Sequence, residues 1–288
     1  MDLRQLSYFL AVVDEGTFTA AAATVAVAQP SLSQAVRSLE AELGTPLFHR
    51  LGRAVRLTAA GDALVEPARQ ALRDADVARE AVRAVAGLEA GRLELAALPT
   101  LAAEPAAEFV GEFRRAHPAV AVSLVSPEEP DQLEELVRTG VCEVGFTELR
   151  AEAAGLVRRQ LFRQDVLAVF PPGSVAHTSV GLRTLAATPL VTTPVGTSSR
   201  RVLDDAFAAA GLTPRVAVEA NARDAILPLV LAGAGASLLP RPLTVGAAAL
   251  GAVVSAVRPA LHRDVGVVHR PGVLSPAARA FMNLLPVS

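Results

Sequence analysis

Gln29–Leu43 reads QPSLSQAVRSLEAEL. Leu32, Val36, Leu39 and Leu43 recur every three or four residues, which lines them up on one face of an α-helix. The opposite face carries Gln34, Arg37, Ser38 and Ala41, with Ser33 on the flank. Gln and Arg are the side chains that hydrogen-bond two edge atoms of one base at once, Gln on adenine and Arg on guanine. Pro30 suits the first helical turn, where its missing N–H costs nothing. Glu40 and Glu42 fall at the far end, past the part of a helix that would meet bases when it enters a groove N-terminus first. One side therefore reads as a core stripe and the other as a DNA-reading face: Gln29, Pro30, Ser31, Ser33, Gln34, Arg37 and Ser38. Taken alone, the stretch is equally compatible with an ordinary surface helix.

The flanking residues shift that balance. Phe18–Val25, FTAAAATV, is a short helix whose alanines allow close approach by a second helix. Ala26-Val27-Ala28 leaves room only for a tight turn. Helix, tight turn and helix with a polar outer face make the helix-turn-helix pattern, here over about 18–37. Leu3–Val13 forms a preceding helix with Leu6, Phe9, Leu10 and Val13 buried. Gly16 ends it and Thr17 caps the next. Gly44 supplies a left-handed stop after Leu43. PLFHR and AVRLT then flank Leu51-Gly52-Arg53 as a two-stranded wing, with Arg50, Arg53 and Arg56 in or beside it. Arginines there can bind phosphate or enter a minor groove.

Thr58–Val85 reads as one long helix, capped by Thr58 and bent at Pro67. Leu64, Ala68, Ala71, Ala75, Ala78, Val82 and Val85 keep a strict 4-3 spacing, the seam of a coiled coil. The alternative is a helix lying on its own chain.

These pieces, in this order and spacing, resemble the N-terminal domain of LysR-type transcriptional regulators. The resemblance rests on the opening LRQL..F, EGTFTAAA, QPSLSQ.VR.LE.ELG and PLF.R.GR.V.LT.AG. It implies double-stranded promoter DNA as a partner, with DNA contact by Arg50 and Arg53 of the wing. It also implies pairing of the linker helix with a second subunit to give a dimer or tetramer, and RNA polymerase as a further partner. Two departures stand out. Ala28 replaces a frequent Ser or Thr, and Ala20 and Thr24 replace basic residues on the helix before the turn. Residues 1–58 carry five Arg against five acidic groups, so each domain makes few phosphate contacts and has a shallow salt dependence. Affinity then depends on more than one bound copy.

From Gly91 the pattern changes to alternating strands and helices. Strands are expected at RLELAALPT, VAVSLV, CEVGFTE and FRQDVLAVFP. Between them lie helices at Glu104–His117 and Pro130–Thr139, arguing a parallel sheet. A second such unit follows in PLVTTP, Ser199–Gly211, RVAVEA, Ala222–Ala232 and ASLLP. A late strand HRDVGVVHR and a closing helix Pro276–Leu285 complete it. The fold class expected is thus multidomain: an all-α winged helix-turn-helix domain at 1–58, a linker helix at 59–90 and a bilobed α/β body at 91–288. Lobe I takes about 91–162 and 268–288, and lobe II about 163–267. The body resembles the LysR-type effector domain and type II periplasmic binding proteins through EFRRAHPAVAVSL and GAGASLLP. Ligands in such folds sit where strands end and helices begin, between the lobes. The loops arriving there offer Leu98, Thr100, Pro127, Thr147, Thr197, Ser198, Ser199, Asn221 and Gly235. Thr197–Ser199 precede a helix, whose free N–H groups and dipole favour an anion, although plain N-capping would explain them too. The resemblance implies a small metabolite, often a carboxylate.

The remaining composition mostly excludes. The chain has 288 residues, half of them apolar, and no apolar run of membrane-spanning length free of charge, Gly or Pro. No membrane partner is expected, and the location expected is cytoplasmic. Cys142 is the single cysteine, which rules out an internal disulfide, and the five histidines are scattered without metal spacing. No P-loop or G-x-S-x-G occurs, so no catalytic set, metal or cofactor is expected. Two other classes stay open: a DNA binder whose body only oligomerises, and a catalytic body of the same bilobed shape.

Overall fold

The computed structural model describes residues 1–51, 54–85, 91–149 and 155–286. The chain divides into two compact units, Met1–Leu88 and Glu89–Ser288.

In the first unit, α1 (Leu3–Glu15), α2 (Phe18–Thr24) and α3 (Gln29–Leu43) are followed by β1 (Phe48–Leu51), β2 (Ala54–Leu57) and α4 (Ala59–Val85). The capping residues set these limits. Asp2 accepts the Gln5 N–H at 2.7 Å while the Gln5 side chain accepts the Asp2 N–H, closing a capping box on α1. Gly16 and Gly44 end α1 and α3 at φ 68° and 71°, a conformation open to glycine at little cost. Thr17 accepts the Ala20 N–H at 3.1 Å. α3 begins without such help: its cap is Ala28, and no side chain satisfies that end. Phe9, Leu32, Val36 and Leu39 are fully buried in the core, together with Leu6, Leu10 and Val12. Two expectations need correcting. Leu43 is 40% exposed, because α3 runs on past the core before Gly44 stops it. Val12 rather than Val13 takes the deepest place on α1.

The wing is an antiparallel pair with Phe48 opposite Leu57 and Leu51 opposite Ala54. Glu40 anchors its entry, accepting the Leu47 N–H at 2.8 Å. Thr58 closes its exit, donating to the Pro46 carbonyl at 2.7 Å and accepting the Gly61 N–H at 3.0 Å. α4 runs unbroken through Pro67. Its early turns pack on the unit's own core, with Ala68 fully buried and Leu64, Val65, Ala71 and Leu72 against it.

The second unit holds an eight-stranded sheet. Its path is β4 (Ala121–Val125), β3 (Arg92–Ala97), β5 (Val144–Glu148), β12 (Leu261–His269), β6 (Val157–Phe170), β11 (Val253–Arg258) and β7 (Ser179–Gly181), and β10 (Ser237–Pro240) also pairs with β6. The expected all-parallel sheet is corrected to a mixed one. β3 runs parallel to β4 and β5, whereas β12 runs antiparallel to both β5 and β6. β6 is 14 residues long and β12 is 9, and these two strands carry the chain from one lobe to the other and back. A separate parallel pair, β8 (Leu190–Thr192) and β9 (Val216–Glu219), belongs to the second lobe.

The first lobe's core packs α6 (Ala107–Ala116), α7 (Pro130–Arg138) and α12 (Pro276–Leu284) on the sheet around Phe113, Phe146 and Phe281. The single expected helix at Glu104–His117 is instead a turn, α5 (Pro99–Leu101), an irregular piece through Ala106 and then α6. Glu104 leaves helical geometry because Pro105 follows it, and a residue before proline disfavours the helical region. The second lobe's core gathers Leu185, Leu190, Leu203, Phe207 and Leu238 under α8 (Leu182–Ala187) and α9 (Ser198–Ala209), with α10 (Ile226–Leu231) and α11 (Arg241–Ala249) beside it.

Candidate functional site

On the recognition helix, Gln29, Pro30, Ser31, Gln34, Arg37 and Ser38 are all exposed. Ser33 is the exception: it is only 6% exposed and accepts a hydrogen bond from the Gln29 side chain at 3.1 Å. It stiffens the first turn, where Ala28 provides no cap, and does not face outward. Arg37 donates to the Gln34 side-chain oxygen at 2.9 Å, so the two groups expected to read bases hold one another. That contact costs little to break, since both groups are in water. Arg53 and the side chain of Arg50 lie outside the described residues. Of the residues expected at a helix–helix seam, Leu64, Ala68 and Ala71 turn toward their own core, while Ala75 is half-buried and Ala78 and Val82 are exposed. The side chain of Val85 lies outside the described residues.

The body holds a more demanding arrangement, centred on a residue the sequence reading passed over. Arg263 on β12 is 3% exposed. Gln164 on β6 stands directly opposite it in the antiparallel register. Its side-chain oxygen accepts two guanidinium bonds, at 2.8 and 2.6 Å. A third reaches Thr100 Oγ1 at 2.8 Å, in the turn after β3. A fourth reaches Ser198 Oγ at 3.1 Å, at the start of α9. Ser198 in turn donates to the Glu148 carboxylate at 2.5 Å, at the end of β5. One guanidinium thus ties a first-lobe turn to a second-lobe helix. Burial pushes its pKa down from the ordinary arginine range to about 10. Glu148 works the other way, and the nearby charge of Arg223 adds to the lowering. No carboxylate touches Arg263 directly among the described residues; its contacts are neutral oxygens.

Beside this centre lies a small cleft, partly open to solvent. Thr100, Thr192, Thr193, Ser199 and Arg223 give it polar walls, and Ile226 and Leu239 apolar ones. Arg223 donates to Ser199 Oγ at 3.0 Å and to Glu128 Oε2 at 2.7 Å. The N-terminus of α9 also points here, and its dipole adds to the charges of Arg223 and Arg263, which Glu128 and Glu148 offset.

The expected residues divide accordingly. Thr100 and Ser199 line the cleft, whereas Ser198 is buried beside it and bonded to Arg263 and Glu148. Thr197 is buried as the α9 cap, its hydroxyl shared with Thr193 at 2.6 Å and the Pro194 carbonyl at 2.8 Å. Leu98 is buried and donates its N–H to the Phe146 carbonyl at 3.1 Å. Thr147 is fully buried, and its hydroxyl has no partner among the described residues. Gly235 takes φ 151°, and a Cβ there would lie 2.4 Å from the Pro189 carbonyl oxygen, so its smallness serves chain packing. Pro127 is half-buried in the loop before α7, and Asn221 is exposed. Gln164, Arg223 and Arg263 were missed. For Arg263 a signal existed: it keeps the two-residue step of Val265 and Val267, both fully buried, and so falls on the core face.

Known proteins share both halves of this architecture. Residues 3–62 match the bacterial regulatory helix-turn-helix protein, lysR family, and residues 86–286 match the LysR substrate binding domain. The HTH-type transcriptional regulator ClcR of Pseudomonas putida is 28% identical over 297 residues, covering 100% of this chain and 99% of ClcR. Full-length OxyR from Pseudomonas aeruginosa shares the fold with a TM-score of 0.78 and 25% identity, covering 100% of this chain and 96% of OxyR. Full-length CbnR, complexed with its target DNA, gives a TM-score of 0.66 and 26% identity, with 98% of each chain covered. A winged helix-turn-helix joined to a bilobed ligand-binding body defines a DNA-binding regulator. The chain belongs to the LysR family of transcriptional regulators.

Proposed function

We propose that this regulator binds promoter DNA as a dimer or tetramer and changes its output when an anionic small molecule enters the cleft between the lobes. The observation that carries this reading is the buried Arg263, joined to Thr100 of one lobe and Ser198 of the other. A buried cation held by neutral oxygens costs stability, so its place at a cleft points to a task beyond folding. A ligand shifts the relation between lobes only by binding one arrangement better than another. In this reading Gln34 and Arg37 contact bases, with Gln29, Pro30, Ser31, Ser38, Arg50 and Arg53 around them. The free part of α4, from Ala75 onward, pairs with a second copy. The protein acts in the cytoplasm with RNA polymerase as a further partner, and it turns over no substrate. Among the described residues no helix is long and apolar enough to cross a membrane, which accords with that location.

The test is a reporter driven by the promoter beside the protein's own gene, titrated with metabolites of the neighbouring genes. Thr100→Val and Ser199→Ala are expected to keep basal DNA binding and to shift the response to higher inducer. Each lost hydroxyl contact is worth about 0.5–1.5 kcal/mol, or roughly two- to tenfold in inducer concentration. A full response at wild-type inducer concentrations in both variants would place the effector elsewhere, and a wild type that answers to no metabolite would favour a ligand-independent scaffold.

A further inference from the structure

We propose that Glu128 is a built-in stand-in for the carboxylate of the effector: it occupies Arg223 in the free protein and is displaced when ligand binds. This rests on the reading of the cleft as the effector site and adds the contact that its ligand must break.

Glu128 sits in the loop between β4 and α7, in the first lobe, and Arg223 in the short turn Arg223–Ala225 before α10, in the second. They are 95 residues apart in sequence and meet at 2.7 Å, beside the cleft that Arg223 helps to line. A second guanidinium nitrogen reaches the Glu128 carbonyl at 3.4 Å. The two partners are unlike in their surroundings. The Arg223 side chain is 13% exposed, forms part of the cleft wall and is fixed by Ser199 at 3.0 Å. The Glu128 side chain is 50% exposed and belongs to a loop. Arg223 is therefore the permanent half of the pair and Glu128 the removable half. Once released, the glutamate is solvated by water, so letting go costs little.

Charge requires a replacement. Arg223 and Arg263 lie close enough for the charge of one to disfavour that of the other. Against them stand Glu128 and Glu148. If Glu128 leaves with nothing in its place, two cations face one carboxylate beside a helix N-terminus. A ligand carboxylate on Arg223 restores the balance and keeps the geometry already formed by a carboxylate. The rest of the wall, Ile226, Leu238, Leu239 and Leu243, suits a compact hydrocarbon body. The class is a small carboxylic acid with an apolar frame. Displacement also removes an ion pair that ties the two lobes, which links occupancy to lobe movement.

The experiment uses the full chain with benzoate and its neutral isostere benzamide, measured by titration calorimetry on wild type, Glu128→Gln, Arg223→Gln and Arg223→Lys. Removing a half-exposed competitor should tighten benzoate binding about two- to fivefold in Glu128→Gln and leave benzamide unchanged. Arg223→Gln should weaken benzoate about tenfold or more, and Arg223→Lys, which keeps the charge but not the fork, should fall between. Benzoate binding unaffected by Glu128→Gln, or an equal gain for benzamide, would overturn the stand-in while leaving the cleft as a ligand site. Binding of neither probe to any variant would overturn it too and would count against the cleft reading itself.

Discussion

Replacing Arg263 by Met should disturb the protein less than removing the group that holds it. The arginine is 3% exposed and its pKa is pushed down from the ordinary arginine range to about 10, mainly by burial. That shift corresponds to about 3 kcal/mol by which the charged form is less favourable in the fold than in water. Met is close in length, carries no charge and relieves this cost. The change also leaves Gln164 Oε1 and Thr100 Oγ1 without their donor, at about 1–3 kcal/mol for each buried oxygen. The Thr100 hydroxyl is only half-buried and turns to water, so its share is small. The opposing terms nearly cancel, and Arg263→Met should lie within about 2 kcal/mol of wild type. Gln164→Leu is different. It keeps the buried charge and deletes the acceptor of two of its four bonds, and leaving a buried charged donor unsatisfied costs about 3 kcal/mol or more. Urea unfolding followed by far-ultraviolet circular dichroism measures both. The chain has no Trp and a single Tyr, Tyr8 on α1, so tyrosine fluorescence reports the N-terminal unit as an internal control. A larger loss in Arg263→Met than in Gln164→Leu would refute the argument that the arginine is a stability cost.

Three further outcomes follow from particular contacts. A Cβ on Gly61 would fall 2.1 Å from the Leu47 carbonyl oxygen and 2.9 Å from a Leu57 methyl, so Gly61→Ala should destabilise the N-terminal unit by about 1–3 kcal/mol despite alanine's better helix propensity, as read by Tyr8 fluorescence in urea. Ala78→Glu should leave that unit folded and lower the mass found by sedimentation at low concentration, whereas Ala68→Glu, at a fully buried position, should unfold it; unchanged mass in Ala78→Glu would remove α4 from the subunit contact. Cys142 is 1% exposed, with its thiol pushed up from 9.0 to about 11 mainly by burial, so iodoacetamide at pH 8 should label it only after unfolding, and the stability this thiol contributes should fall as pH rises from 9 toward 11; rapid labelling of the native chain would contradict the burial.

What was legible in the sequence is what local chemistry dictates. The limits of α3 and the pairing of the wing were readable because amphipathic spacing and Gly44 are local signals. Leu43 misled because it fits the stripe, yet the stripe outlasts the core it packs on. Ser33 misled because it turns inward and accepts a hydrogen bond from the side chain of Gln29, four residues back, a contact that flank position alone does not show. β7, α8, α11 and β11 were not foreseen at all. They are short or alanine-rich, and their periodicity is weak without the neighbours that bury them. Arg263 was hidden for a different reason. Its cost and its use both come from Gln164, Thr100 and Ser198, which lie 99, 163 and 65 residues away. Strand register assembles them, and register across such distances is written in no single stretch. The hydroxyls of the Thr197–Ser199 turn were visible, but which of them caps the helix and which faces the cleft depended on how α9 meets β5.

Sequence-specific DNA binding by α3 is tested most directly by selection of duplexes from a random pool with the full chain. Wild type is expected to enrich a two-fold symmetric site, as paired subunits with one recognition helix each require. Arg37→Ala and Gln34→Ala should each lose preference at particular bases within both half-sites, costing about 1–3 kcal/mol on the selected site and less on random DNA. Enrichment of no sequence by the wild type, or equal losses on selected and random DNA in both variants, would contradict the account.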